Sequence, residues 1–214
     1  MQLGKIMIFG DSYSTYEGHI PAGYAVYYSG HRAAEPDVSD VGKTWWGRLL
    51  DASDAVLVQN NSWSGSTIGY TGYNSSDCSH SSSFIYRFEK LLAEGFFAQN
   101  KVDTILVFGG TNDSWSGAPL GELTFGEIAE AELFRVLPAI SHFAKRLTES
   151  LPDTKVVFIA NCGIKSEIID AMRAAAAHYG CGYIALADID KVNGHPTETG
   201  MAQICEQVLA GLRG

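Results

Sequence analysis

The segment KIMIFGDS, residues 5–12, joins a short apolar run to a glycine turn. An apolar run of this length that contains β-branched residues and ends at a turn is typical of a strand buried on both faces. The same pattern recurs in residues 55–59, 104–108, 155–160 and 183–186. Apolar residues at helical spacing fill the intervals, over residues 43–51, 83–94, 126–150, 164–179 and 197–211. Strands that alternate with helices predict a parallel sheet with helices on both faces.

Two features depart from this regular alternation. Pro138 lies inside the helical pattern of residues 126–150, where a proline is expected to kink the helix because it lacks an N–H donor. Residues 18–41 and 69–82 are polar, rich in Gly, Tyr and Ser, and long for connections in a compact domain. Loops of that length often carry function, so we expect them to border the site.

Composition favours one globular domain over residues 1–214. The chain is 46% hydrophobic and 18% charged, which is enough apolar material for a core, and no linker or repeat divides it. Acidic residues outnumber basic ones, 24 against 15, for a formal charge of -9. A surface that binds nucleic acid or an anionic membrane needs clustered positive charge, so we predict neither partner.

The cysteines and the first residues indicate a compartment. Four cysteines, Cys78, Cys162, Cys181 and Cys205, have no spacing that suggests a disulfide framework or a zinc site. The first apolar run is too short for the core of a signal peptide, and no segment approaches the roughly 20 apolar residues that span a bilayer. We therefore expect a cytoplasmic protein with free thiols.

Polar motifs follow the predicted strands at the points where each strand ends. GDSY follows the first strand from residue 10, NNSWSGS follows the second from residue 60, and GGTND follows the third from residue 109. The last loop carries NGHPT at residues 193–197. Ligands of open parallel sheets bind beyond the carboxyl ends of the strands, so one edge would collect a hydroxyl, backbone amides, a carboxamide and an imidazole. These are the groups that acyl transfer requires.

The order and the residues of the four motifs resemble those of the SGNH hydrolases, also called the GDSL esterase/lipase family. The resemblance extends from Gly10 to His195, nearly the whole chain. It implies a three-layer α/β/α sandwich with a five-stranded parallel sheet in the flavodoxin-like order 2-1-3-4-5. It also implies an ester hydrolase that uses no metal and no organic cofactor.

Matching the motifs residue by residue gives each group a role. The resemblance implies that Ser12 is the nucleophile and that His195 is the base that accepts its proton. The oxyanion hole would consist of the Ser12 amide, the Gly65 amide and the Asn112 side chain. Glycine suits an amide that must approach a carbonyl oxygen closely, and a neutral carboxamide donates without attracting a competing proton.

The last motif departs from the family's pattern at Val192. The family usually has an aspartate there, three residues before the histidine, which holds the second ring nitrogen. Asp190, Asp188 or a backbone carbonyl could orient His195 instead. We favour a Ser–His dyad supported by a carbonyl or water, with Asp190 as the better of the two acids.

Aromatic residues concentrate in the same loops and indicate the substrate. We expect Trp63, Trp115 and Tyr13 to contact it, since rings with polar edges suit sugars or other flat, half-polar groups. The leading hypothesis is an esterase for small acyl groups, chiefly acetyl, on a small molecule or glycan. Alternatives are a lysophospholipase or thioesterase, a carbohydrate- or acyl-binding protein of little turnover, and a flavodoxin-like electron carrier.

Overall fold

Five strands form one parallel sheet in the order β2-β1-β3-β4-β5, which confirms the order that the family resemblance implies. The computed structural model describes residues 3–30 and 37–213. The strands are β1 (Lys5–Gly10), β2 (Val56–Ser62), β3 (Thr104–Gly109), β4 (Lys155–Ala160) and β5 (Gly182–Ala185). Two further strands, β6 (Lys191–Val192) and β7 (His195–Pro196), pair antiparallel in a short hairpin.

Helices cover both faces of the sheet and give the three-layer α/β/α sandwich. They are α1 (Trp45–Asp51), α2 (Phe84–Ala93), α3 (Phe96–Gln99), α4 (Thr111–Trp115), α5 (Val136–Ser150), α6 (Ser166–Tyr179) and α7 (Glu198–Arg213). One core lies between the sheet and α2, α5 and α6, and the other lies between the sheet and α1 and α7.

The burial of β1 on both faces explains why its sequence is almost continuously apolar. Met7 and Phe9 belong to the first core, whereas Ile6 and Ile8 belong to the second, and all four side chains are fully buried. Successive side chains of a strand point to opposite faces, so a strand covered by helices on both sides needs apolar residues at every position.

The predicted kink at Pro138 is wrong. Helix α5 begins at Val136, so Pro138 lies in its first turn, and a separate 3₁₀ helix spans Glu130–Phe134. The first N–H groups of a helix have no partner within it, so a proline there removes no hydrogen bond. The single helix expected over residues 126–150 is therefore shorter and begins later.

Strand β2 continues three residues beyond its predicted end at residue 59. The asparagines that suggested a turn are part of the strand because their side chains find partners. Asn60 Nδ2 donates to the Ser14 carbonyl at 2.8 Å, and Asn61 Oδ1 accepts from Arg87 at 2.7 Å. Among residues 3–30 and 37–213, no helix is both long enough and apolar enough to cross a membrane.

Candidate active site

Ser12 lies where β1 gives way to a single 3₁₀ turn, Ser12–Ser14. The Asp11 carboxylate caps this turn by accepting the Tyr13 N–H at 3.0 Å. Gly10 is required here, because a Cβ would lie 2.4 Å from Ser62 Oγ and 2.6 Å from Ser14 Cβ. Close packing therefore fixes the backbone that presents the Ser12 hydroxyl at the edge of the sheet.

His195 meets Ser12 from the other end of the chain. Its Nε2 lies 3.0 Å from Ser12 Oγ, although 183 positions separate the two residues. The β6–β7 hairpin carries the histidine, and its turn residues Asn193 and Gly194 have φ of 51° and 80°. Asn-Gly with both φ values positive is the favoured two-residue hairpin turn. The turn chemistry thus places the imidazole beside the serine.

Two tyrosines fasten this hairpin to the body of the protein. Tyr13 Oη donates to the Gly194 carbonyl, and Tyr28 Oη donates to the Pro196 carbonyl at 2.8 Å. The side chain of Tyr13 is fully buried, so it has no surface with which to contact a substrate. The expectation that Tyr13 binds substrate is corrected accordingly, and its contact with Gly194 makes it a support for the histidine hairpin.

Aromatic rings and one backbone carbonyl surround the imidazole of His195. The Tyr27 ring stacks on it with a centroid separation of 3.6 Å and an interplanar angle of 7°. Trp115 approaches edge-on at 5.9 Å. Nδ1 lies 3.3 Å from the Asn193 carbonyl oxygen. A proton on Nδ1 directed at that oxygen leaves Nε2 free to accept a proton from Ser12.

The two acids considered for orienting the histidine have other surroundings. Asp190 is exposed, and its Oδ2 accepts a hydrogen bond from Thr197 Oγ1. Thr197 Oγ1 also accepts the Gly200 N–H at 3.1 Å, which ties Asp190 to the start of α7. Asp188 is exposed in a turn with φ of 53°. The contact that the structure gives the Asp190 carboxylate therefore supports the start of α7.

Gly65 and Asn112 belong to one connected stretch of the site. Gly65 has φ of 82°, and a Cβ placed on it would meet nothing within 4 Å, so this turn faces open space. The Asn112 side chain is buried in the first turn of α4, and its Nδ2 donates to the Ser66 carbonyl at 2.9 Å. An amide nitrogen has two N–H donors, so one can serve Ser66 while the second serves a ligand.

A buried arginine that the sequence analysis missed links the two motifs. Arg87, on α2, donates to the Gly10 carbonyl at 3.3 Å and to Ser66 Oγ at 3.2 Å. It also donates to the side chain and carbonyl of Asn61. Burial lowers the pKa of this guanidinium to about 9. Helical spacing could have indicated that Arg87 is buried, since position 87 lies on the apolar stripe of α2 between Phe84 and Leu91.

Two buried carboxylates hold the loops beneath the site. Asp113 accepts the Ile68 N–H at 3.0 Å and the Gly69 N–H at 3.3 Å, and burial raises its pKa to about 6. Burial, with a smaller effect of the nearby Asp113, raises the pKa of Asp11 to about 7. Across the described residues, no three His, Cys, Asp or Glu side chains converge as a metal site would require.

Of the two tryptophans expected near the substrate, Trp63 follows the end of β2 and Trp115 is the last residue of α4. Trp63 is half-buried and packs against Tyr24 with ring centroids 4.3 Å apart. Trp115 is 41% exposed and lies against the histidine hairpin, where a Cβ on Gly194 would come within 3.0 Å of its ring. Both side chains therefore keep ring surface that a ligand can reach.

Comparison with known proteins places this geometry in a family. Residues 4–212 match the profile of the GDSL-like lipase/acylhydrolase family. A protein from Bacteroides ovatus described as a GDSL-like lipase is 37% identical, with a TM-score of 0.90 over 100% of this chain and 99% of that one. Another from Bacteroides uniformis is 40% identical, with a TM-score of 0.89 over 98% and 95%.

An acetyl xylan esterase from Butyrivibrio proteoclasticus shares the fold at 18% identity, with a TM-score of 0.60 over 98% of this chain and 63% of that one. No curated protein matches the chain significantly. The fold and the family profile define an ester hydrolase of the SGNH type. The chain belongs to the GDSL-like lipase/acylhydrolase family.

Proposed function

We propose that this protein is a serine esterase that removes a small acyl group, acetyl above all, from a carbohydrate ester through an acyl-enzyme. The observation that carries the proposal is the 3.0 Å contact between Ser12 Oγ and His195 Nε2. A hydroxyl is a weak nucleophile by itself, and a base within hydrogen-bond reach is what activates it.

The reaction proceeds in two halves. Ser12 Oγ attacks the ester carbonyl carbon while His195 Nε2 takes the hydroxyl proton, and the carbonyl oxygen becomes an oxyanion. The amides of Ser12 and Gly65 and the free N–H of Asn112 Nδ2 stabilise that charge. His195 then gives its proton to the leaving alcohol. A water, deprotonated by His195, attacks the acyl-serine, and the acid leaves as Ser12 regains its proton.

A backbone carbonyl supports the histidine in this dyad. Val192 occupies the position where the family usually has aspartate, and Asn193 O lies 3.3 Å from Nδ1. A carbonyl that accepts a proton from Nδ1 selects the tautomer in which Nε2 can take the proton of Ser12. We expect activity to fall at acid pH, because a protonated imidazole cannot accept that proton.

The surroundings of Ser12 favour a carbohydrate ester over a long-chain lipid. Two tryptophans near the site keep accessible ring surface, Trp115 at the end of α4 and the half-buried Trp63 after β2. Aromatic rings of this kind suit the faces of sugar rings, whereas a lipase or lysophospholipase needs a broad aliphatic surface. The fold shared with an acetyl xylan esterase agrees with this assignment by analogy.

Hydrolysis of p-nitrophenyl acetate tests the proposal. Ser12→Ala should lower kcat by about 10³-fold or more, and His195→Ala should do the same, because the pair acts as a unit. Ser81→Ala, at an exposed serine of the loop over residues 69–82, is the matched control and should keep full activity. Unchanged hydrolysis in Ser12→Ala would refute the assignment. Acetylated xylo-oligosaccharides should be cleaved, and p-nitrophenyl octanoate should be a poor substrate.

A second candidate function is a carbohydrate- or acyl-binding protein of little turnover. Val192 favours it, because the residue that most often stabilises the imidazolium is replaced by an apolar side chain. Calorimetric titration with an acetylated oligosaccharide, followed by assay of free acetate, separates the two functions. Binding without acetate release would favour the binding protein, and release that depends on Ser12 would exclude it.

A further inference from the structure

The imidazole of His195 carries an aromatic ring on its face, and the spacing is unusual for two neutral rings. Tyr27 and His195 are 3.6 Å apart between centroids and inclined by only 7°. Aromatic pairs in proteins usually prefer offset or edge-to-face arrangements with centroids about 4.5–7 Å apart. Atoms in contact are separated by about 3.5–4.0 Å, so this stack has almost no lateral offset.

Full overlap of this kind suits a charged imidazolium better than a neutral imidazole. The face of a tyrosine ring is negative, so it repels the face of another neutral ring but attracts a cation placed above it. During acylation His195 becomes an imidazolium when it takes the proton of Ser12. The stack is therefore stronger in the transition state than in the resting enzyme, which is the condition for a contact to raise the rate.

We propose that Tyr27 is a positioning residue for His195, whose ring holds the imidazole plane and stabilises the imidazolium. This inference rests on the proposed function, since it needs His195 to act as the base. It gives part of the long loop over residues 18–41 a role in the reaction.

The other groups in contact with the imidazole of His195 also affect its protonation, and therefore the pH profile of the reaction. The side chains that contact the imidazole include Ser12, Tyr13 and Tyr27. The ammonium of Lys191 lies 5.5 Å from the centre of the Tyr13 ring. Tyr13 is tilted by 52° to the imidazole at 5.5 Å, whereas Tyr27 presents its face in parallel. A substitution at Tyr27 therefore removes one identifiable contribution.

Tyr27→Leu and Tyr27→Phe form the decisive pair. Leucine keeps apolar bulk but has no π face, so kcat/KM for p-nitrophenyl acetate should fall about 3- to 10-fold. The acid limb of the kcat/KM profile should move to lower pH by about 0.5–1 unit, because the imidazolium loses stabilisation and the pKa of His195 falls. Phenylalanine retains the ring face and should restore both the rate and the position of the limb.

Val26→Ala, at an exposed neighbour in the same loop, controls for general disturbance and should leave both quantities unchanged. Thermal unfolding of each variant checks that the fold is intact. An unshifted acid limb in Tyr27→Leu, or a Tyr27→Phe variant as impaired as the leucine variant, would overturn the inference. If Ser12→Ala is inactive while Tyr27→Leu matches the wild type, only this inference fails. Full activity in Ser12→Ala would instead refute the serine mechanism itself.

Discussion

Tyr73 donates its hydroxyl to Asn112 Oδ1 at 2.8 Å, across 39 positions of the chain. On the other side of the same carboxamide, Nδ2 donates to the Ser66 carbonyl at 2.9 Å. The side chain of Asn112 is thus held at both ends, and its nitrogen is fixed toward the Gly65 turn. A donor on Oδ1 also polarises the amide, which makes the remaining N–H of Nδ2 a stronger donor to an oxyanion.

Tyr73→Phe tests whether this contact serves catalysis. Loss of one hydrogen bond worth about 1 kcal/mol should lower kcat for p-nitrophenyl acetate about 3- to 10-fold and leave KM nearly unchanged, since the oxyanion exists only after attack. Steady-state kinetics provide the measurement, with Tyr86→Phe on α2 as the control. A raised KM with unaltered kcat would show that Tyr73 binds the substrate instead.

Gly65→Ala separates backbone strain from loss of an oxyanion donor. The φ of 82° costs an alanine about 1–2 kcal/mol, although its Cβ would meet nothing within 4 Å. We expect the turn to shift and its amide to leave the oxyanion position, which would lower kcat about 10²-fold. Gly180→Ala is the matched control, because Gly180 has φ of 73°, equal free space and a place at the end of α6. Equal kcat in the two variants would contradict a role for Gly65.

Asp11→Asn should change how stability depends on pH. Burial raises the pKa of Asp11 to about 7, so the folded protein holds a proton there that the unfolded chain has released above about pH 4. This stabilising contribution is complete below the unfolded pKa and is lost as the pH rises through the folded pKa. Asparagine has no such titration.

The wild type should therefore lose stability relative to Asp11→Asn between pH 5 and pH 8, by about 1 kcal/mol or more. Urea denaturation at the two pH values provides the measurement. A difference in stability that stays constant, or that grows in favour of the wild type as the pH rises, would show that Asp11 is ionised throughout.

Arg87→Met tests the buried arginine that joins the ends of β1 and β2. Methionine fills much of the space but leaves the carbonyl oxygen and Oδ1 of Asn61 without the donor that Arg87 supplies, whereas the Gly10 carbonyl keeps the Trp63 N–H at 3.1 Å. Buried acceptors without partners cost about 1–3 kcal/mol each, so the free energy of unfolding should fall by about 2–4 kcal/mol. Arg173→Met, at an exposed arginine of α6, should change it by less than about 0.5 kcal/mol. Equal effects in urea denaturation would contradict the linking role of Arg87.

Local patterns in the sequence predict the sheet well because burial on both faces leaves a direct signature. The run at residues 5–9 is typical of a covered strand, and the alternation of strands and helices predicts a parallel sheet, whereas the order of its strands came from the family resemblance. The kink predicted at Pro138 is wrong because apolar periodicity does not show where a helix begins. A proline inside the helix and a proline in its first turn therefore look the same in the sequence.

The motifs predict which residues meet, but not the contacts that orient them. The stack of Tyr27 on His195 and the bond from Tyr73 to Asn112 both join a long polar loop to a distant motif. No periodicity relates such positions, since they come together only when the loops fold. Asp190 likewise makes a contact that its position in the sequence does not indicate, since its carboxylate accepts a hydrogen bond from Thr197.

Covalent labelling with a fluorophosphonate tests the central claim most directly, because the probe reacts only with an activated hydroxyl. Intact-mass and peptide measurements should show one adduct per chain, located on Ser12. Labelling should be absent in Ser12→Ala and much slower in His195→Ala, while Ser81→Ala should label like the wild type. An adduct on another residue, or equal labelling of the wild type and Ser12→Ala, would contradict the claim that Ser12 and His195 form the catalytic pair.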